Sequence, residues 1–204
     1  NGADVADTVK YQVYKNEAEL RAAWGKDYAW KSDKVAKAVL ATKGQILTYE
    51  GKPITATFFS TSNGFTENSK DLWGDSYPYL QSVESPWDKE SPKYRDQKVI
   101  SIAQFEQKLG VKINEKSIGK IVKQTSGKRV ASVDFNGKII SGRTIRETLE
   151  LKSTDFEWKR KDNQIIISTK GYGHGVGMSQ YGANGMAMEG KDYKEIVSHY
   201  YQGT

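Results

Sequence analysis

The residues Gly171-Tyr172-Gly173-His174-Gly175-Val176-Gly177-Met178-Ser179-Gln180-Tyr181-Gly182-Ala183-Asn184-Gly185-Met186-Ala187 decide how this chain is read. Six of its 19 glycines fall here, and all three methionines lie in or just beside the stretch. Glycine at every second position from 171 to 177 weakens helix and strand interiors alike. It suits a backbone that needs unusual dihedrals or close approach to another group. From about Ser179 the pattern turns helical, runs to Met188 and is closed by Gly190. Such a loop would aim His174, Gln180 and Tyr181.

Working outward, Asp192 and Glu195 form a capping box that opens a last helix through Tyr201. Upstream, Thr154–Trp158 and Ile165–Ser168 read as strands paired around Lys161-Asp162-Asn163. Gly142–Leu151 reads as a short helix with Ile145 and Leu149 inward. Ile121–Gln124, Val130–Phe135 and Lys138–Ile140 read as strands separated by Ser126-Gly127 and Asn136-Gly137, and Asn-Gly is the strongest short hairpin signal. Ser101 and Gln104 make a second capping box, for a helix to Leu109 stopped by Gly110. Residues 72–95 carry Trp73, Tyr77, Tyr79, Trp87 and Tyr94 among three prolines, which predicts an ordered irregular loop. Its aromatic faces either pack a core or shelve sugar rings.

Nearer the start, Gln45–Tyr49 and Ile54–Phe59 read as a hairpin turning at Glu50-Gly51-Lys52-Pro53. It runs into Ser60-Thr61-Ser62-Asn63-Gly64-Phe65-Thr66-Glu67, a polar strand-end loop. That loop is either a binding element or a self-bonded turn. Ser32-Asp33 is expected to cap a helix carrying Val35, Ala36, Val39 and Leu40 on one face, followed by Gly44. Asn16 caps another over Glu17–Trp24, stopped by Gly25. Tyr11–Tyr14 reads as a short strand. The expected class is α+β: antiparallel hairpins with interspersed helices, and a glycine-rich loop leading into C-terminal helices.

The 204 residues hold 31 basic and 25 acidic side chains, a net charge of +6 without a basic block. That suits an anionic surface or a merely solvated face, and selects no nucleic acid. Absence of cysteine excludes disulfides, thiolate metal sites and a cysteine nucleophile. No apolar run approaches the roughly 20 residues of a membrane helix. The glycine loop fails as a nucleotide cradle: Gln180 stands where GxGxxG needs its third glycine, and no Gly-Lys-Ser/Thr follows. His174 and His199 are the only histidines and fall on different elements. Ser179 lacks the G-x-S-x-G turn of a serine hydrolase. Carbohydrate chemistry asks for polar grips, aromatic shelves and a carboxyl. Ser60, Ser62, Asn63, His174, Gln180 and Tyr181 supply the grips. Glu67 is the best-placed carboxyl, although its context also reads as a surface glutamate.

Gly173–Ala187 resembles the signature of the stage II sporulation protein D family of peptidoglycan lytic transglycosylases. Ala56–Glu67, Pro78–Val83, Ser85-Pro86-Trp87-Asp88, Asn136-Gly137-Lys138, Ser141-Gly142 with Ile145-Arg146, and Leu151–Phe156 are similar to its middle and later parts. The resemblance implies cleavage between N-acetylmuramic acid and N-acetylglucosamine to 1,6-anhydro ends, on peptidoglycan glycan strands stripped of stem peptides. It implies extracytoplasmic work at the sporulation septum during engulfment, a membrane anchor absent from this chain, and partnership with a septal membrane-protein complex that includes a sporulation amidase. Residues 1–204 would be the C-terminal portion of one catalytic domain, with Ser60, Thr61, Ser62, Glu67, His174, Gln180 and Tyr181 on the glycan groove. The family's catalytic glutamate sits in a Ser-Glu-Met-Pro segment that does not occur here, so no catalytic residue is assigned and Glu67 is not promoted to that role. Some members bind zinc through His and Cys near the Ser-Thr-Ser loop. Phe59 occupies that histidine position and cysteine is absent, so no metal or other cofactor is expected. Two other readings are a non-catalytic wall-binding amidase enhancer and a structural septal protein.

Overall fold

The computed structural model describes residues 13–114 and 117–204. The chain divides into two compact units, residues 1–46 and 47–204. In the first, α1 (Glu17–Trp24) starts at a reciprocal cap: the Asn16 side chain accepts the Glu19 N–H, and the Glu19 carboxylate accepts the Asn16 N–H. One 3₁₀ turn later α2 (Tyr28–Ala41) begins, a full turn ahead of the expected cap at Ser32-Asp33. No side chain caps it. Instead the Arg21 guanidinium sits 4.1 Å from the Tyr28 ring centroid, a cation–π contact across the bend. Of the expected strand at Tyr11–Tyr14, Tyr11 and Gln12 lie outside the described residues, and Val13 and Tyr14 are in no strand.

The second unit opens with a hairpin shorter than its sequence suggests. β1 (Thr48–Tyr49) pairs with β2 (Lys52–Pro53) across Glu50-Gly51 alone. Both turn residues have positive φ, 49° and 75°, which closes the chain in two residues. The expected second strand, Ile54–Phe59, contracts to β3 (Phe58–Phe59). Next come α3 (Ser69–Trp73), irregular chain with a 3₁₀ turn at Pro86–Glu90, β4 (Arg95–Ser101) and α4 (Ile102–Leu109). Then follow β5 (Lys120–Gln124), β6 (Val130–Phe135), β7 (Lys138–Ser141), α5 (Gly142–Thr148), β8 (Asp155–Lys161) and β9 (Gln164–Lys170). The chain ends with β10 (Met178–Ser179), α6 (Gln180–Met188) and α7 (Tyr193–Tyr200).

Two antiparallel three-stranded sheets, ordered β4-β9-β8 and β5-β6-β7, enclose the larger core with α4 and α5. Asn136-Gly137 makes the expected two-residue turn, with Phe135 opposite Lys138. Ile165 and Ile167 alternate inward from β9 against Phe105, Val133, Ile145 and Leu149. β4 has no legible alternation, since only Ile100 of its seven residues is fully buried. It forms because β9 offers it a continuous ladder from Arg95↔Lys170 to Ser101↔Gln164. A second cluster gathers Leu80, Val176, Met186, Ile196, Tyr200 and Tyr201 under α6 and α7. The α+β class is therefore the observed one, in small sheets with interspersed helices.

Leu149 is wholly buried in the larger core, whereas Ile139 is 67% exposed. Leu149→Ala is expected to cost about 2–5 kcal/mol of unfolding free energy, and Ile139→Ala no more than about 0.5 kcal/mol. Urea denaturation followed by circular dichroism reads both.

Candidate functional site

The glycine stretch and the polar strand-end loop are zipped together. β3 and β10 pair in parallel, Phe58 with Met178 and Phe59 with Ser179. Beyond them, Thr61 and Tyr172 exchange backbone hydrogen bonds of 3.0 and 2.7 Å. Glu67 N–H donates to the Gly175 carbonyl at 2.8 Å, and Tyr181 N–H to the Ser60 carbonyl at 3.1 Å. Convergence of the two loops is thus a backbone fact.

It also explains the alternating glycines. Gly171, Gly173, Gly175 and Gly177 all have φ between 78° and 120°, where a Cβ costs roughly 1–2 kcal/mol per residue. They also leave no room. A Cβ on Gly177 would stand 2.1 Å from the Thr57 carbonyl, and one on Gly175 would stand 2.8 Å from the Arg129 guanidinium carbon. The close approach that the glycines serve is to the chain's own loop and to Arg129.

Below this zipper lies a buried carboxylate, Asp88, that the sequence pattern does not single out. Its Oδ1 accepts the Ser62 N–H at 2.8 Å and the Ser179 hydroxyl. Its Oδ2 accepts the hydroxyls of Ser62 at 2.8 Å and Ser85 at 2.6 Å. Ser85 Oγ lies 2.7 Å from the Tyr200 hydroxyl. Burial, reinforced by nearby Asp88 and opposed by the Ser85 contact, pushes the Tyr200 phenol well above its ordinary range. Thr61 and Ser62, expected on the groove, are therefore spent inside the fold. Both are buried, and Thr61 Oγ1 pairs with Ser91 Oγ at 3.0 Å.

The zipper's outer side forms a cleft of about 180 Å³ lined by Glu67, Asp71, Thr125, Arg143 and His174, among others. Glu67 is no surface glutamate: it is 3% exposed and paired with the equally buried Arg129, Nη1 to Oε1, at 3.0 Å. Thr125 donates its hydroxyl to the same Oε1 at 2.8 Å, and Arg129 Nη2 donates to the Phe65 carbonyl at 3.2 Å. Arg129 Nε finds no partner among the described residues. Burial pushes the Glu67 carboxyl above the usual range, while Arg129 and Thr125 pull it back.

His174 Nδ1 accepts the Val176 N–H at 3.1 Å, so the proton of the neutral ring belongs on Nε2. Its ring sits between Phe59 and Trp73, with centroids 5.7 and 5.9 Å away. Burial lowers its pKa, opposed by a hydrogen bond with the Phe58 backbone. The ring is thus neutral at pH 7. Trp73, 38% exposed, and Asp71, exposed and accepting the Ser126 N–H at 3.2 Å, complete the outward face.

Glu67 and His174 therefore share one cleft. Tyr181 faces another, of about 650 Å³, beside Trp87 and Met188. Ser60 lies at the zipper between them, and Gln180 is exposed on the first turn of α6. Asp71 was illegible as a site residue, because a carboxylate in a short helix carries no pattern of its own. Chemically the first cleft offers an imidazole, two carboxylates and the Arg143 guanidinium, with the Trp73 ring packed on the imidazole. Among the described residues no group of three or more His, Cys, Asp or Glu is placed to hold a metal ion.

Comparison with known proteins adds an independent line. The sequence model of a family described as Stage II sporulation protein matches residues 1–49. Stage II sporulation protein D of Bacillus subtilis (strain 168) is 55% identical over 204 residues, covering 100% of this chain and 60% of that protein. Its counterpart from Bacillus amyloliquefaciens is also 55% identical, covering 100% of this chain and 59% of that protein. An amidase enhancer of Bacillus subtilis (strain 168) is 30% identical over 258 residues, covering 100% of this chain and 35% of its own length.

Asp88→Ala would leave the buried Ser62 N–H without an acceptor and remove the shared acceptor of three serine hydroxyls. It is expected to lower stability by at least about 3 kcal/mol, against no more than about 0.5 kcal/mol for Gln180→Ala. Chemical denaturation of the two variants measures the difference.

Proposed function

The chain belongs to the stage II sporulation protein D family, and on that premise we propose that the protein is a lytic transglycosylase of the sporulation septum. Family membership supports a cell-wall role in sporulation. The finer reading is cleavage of denuded glycan strands between N-acetylmuramic acid and N-acetylglucosamine, leaving 1,6-anhydro ends. One observation supports it most: the zipped loops bring His174, Glu67 and Asp71 to one cleft, with Trp73 packed against the His174 ring and Arg129 holding Glu67 from behind.

In this reading a pyranose ring lies on the Trp73 face, and the Asp71 carboxylate accepts hydroxyl hydrogens. Such grips keep adjoining rings in register while a carboxyl protonates the departing glycosidic oxygen and then, as carboxylate, takes the proton of the C6 hydroxyl as it closes onto C1. Glu67 is poorly suited to that proton transfer, because Arg129 and Thr125 hold its Oε1. Its part is to fix the cleft floor. The proton donor is assigned instead to the Ser-Glu-Met-Pro segment of the family, which does not occur in these 204 residues. Extracytoplasmic anchoring and an amidase partner that strips stem peptides belong to the same proposal.

A second reading, a wall-binding amidase enhancer, draws on the fixed Glu67 and on the relative that bears that name. Incubation with denuded glycan and mass spectrometry of the products separates the two. The expected result for this chain is binding without cleavage. Asp71→Ala and Trp73→Ala should each weaken binding about tenfold, equivalent to about 1.4 kcal/mol. Anhydro-ended fragments, lighter by one water than hydrolysed ones, would return Glu67 to the acid role. Extending the chain with a Ser-Glu-Met-Pro segment should produce those fragments. Stimulation of an amidase with no fragments would favour the enhancer.

A further inference from the structure

The larger cleft, of about 650 Å³, lies between the Pro86–Glu90 turn and α6. Its construction is specific. Gly185 lets α6 close onto the turn, since a Cβ there would stand 2.4 Å from Trp87 Cβ. His199 meets the Trp87 ring edge-on, with centroids 5.5 Å apart at 84°. The His199 Nε2 in turn lies 2.8 Å from the Glu84 carbonyl. The indole is thus held in one orientation, half-buried, at the wall of an open cavity. Met188 stands beside it with 82% of its surface exposed, too much for a core methionine. Around this apolar floor run Asn184, Ser91, Lys89, Glu90 and Glu189.

This cleft and the His174 cleft adjoin one segment of chain. Phe59 packs on His174. Two residues on, Thr61 pairs with Ser91 of the Trp87 cleft, and between them the Ser60 carbonyl receives the Tyr181 N–H. Three consecutive residues, Phe59, Ser60 and Thr61, thus connect the walls of the two clefts.

We propose that the Trp87 cleft is a second sugar subsite, taking an N-acetylated pyranose of the same glycan strand. It rests on the glycan reading of the His174 cleft and extends it. The indole face covers the apolar face of the ring, as aromatic side chains cover apolar surface elsewhere. The Met188 thioether meets the acetyl methyl, a soft contact that tolerates small shifts of the strand. Asn184 and Glu90 lie within the rim to bond the acetamide and hydroxyls. One lysine against two glutamates at the rim disfavours an acidic ligand and leaves hydroxyls ample acceptors.

The test uses the whole chain and an uncharged probe, the tetramer of N-acetylglucosamine, followed through indole N–H resonances in NMR. Trp73→Phe and Trp87→Phe assign the two signals. Both are expected to move with tetramer, and the Trp87 signal to stay in place with a disaccharide that fills only the first cleft. Asn184→Ala and Met188→Glu alter exposed side chains and spare the fold. Each is expected to weaken tetramer binding about tenfold and to leave disaccharide binding within twofold. If the Trp73 signal moves and the Trp87 signal does not, the second subsite is refuted while the glycan reading stands. If neither moves, both fall. A Trp87 signal that answers only to a protein partner also overturns the subsite.

Discussion

A carboxylate without contact to water, Asp88, ties the second unit together. Burying a charge is costly unless donors replace its hydration. Asp88 is supplied by Ser62, Ser85 and Ser179, residues from three separate stretches of chain, and Ser85 passes the network on to Tyr200. Ser179 has two tasks. Its hydroxyl donates to Asp88 and accepts the Gly182 N–H as the cap of α6. The strand-end loop, the aromatic loop and both C-terminal helices are therefore registered against one anion. Moving any of them leaves a buried donor or the carboxylate unmatched.

The second buried charge works with the first. Glu67 and Arg129 lie far apart in sequence, and the pair is covered by Gly175. Such a pair contributes little net stability against an apolar replacement, but losing one partner costs about 3–5 kcal/mol. Its value is specificity of place: the Glu67 backbone is bonded to the glycine arc while its side chain is bonded to the β5–β6 turn region. The cleft between them is defined by two constraints, and neither depends on ligand.

Local physics made part of this legible from sequence. The cap at Asn16 and the capping boxes at Ser101/Gln104 and Asp192/Glu195 all form, because each is settled within four residues. Asn136-Gly137 turns where it should for the same reason. The start of α2 at Tyr28 was hidden, since the chain enters it directly from a 3₁₀ turn without a side-chain cap. Strand β4 was hidden because its pairing, and not its own pattern, makes it a strand. Small polar residues are the hardest case. Ser62 reads the same whether it faces water or Asp88, and the distinction lies 26 residues away. Glu67 reads as a surface residue until Arg129, 62 residues on, is placed beside it. Of the expected groove residues, Glu67, His174 and Tyr181 line clefts, and Thr61 and Ser62 are framework.

That division bears on what the glycine stretch is for. Its glycines face inward, to the chain's own loop and to Arg129, so they cannot also be the surface that a strand of sugar lies against. The residues between them are free to differ in role. Tyr172 bonds to Thr61 through its backbone, Val176 fills the smaller core, and His174 alone reaches the first cleft. The arc is therefore a rigid mount for one imidazole, while α6, which it launches, carries Tyr181 into the second cleft. A rigid mount suits positioning, since each side chain that must be ordered on binding subtracts about 0.5–1.5 kcal/mol from affinity. The mount fixes where the His174 ring stands, and the Glu67–Arg129 pair fixes the carboxylate that shares its cleft.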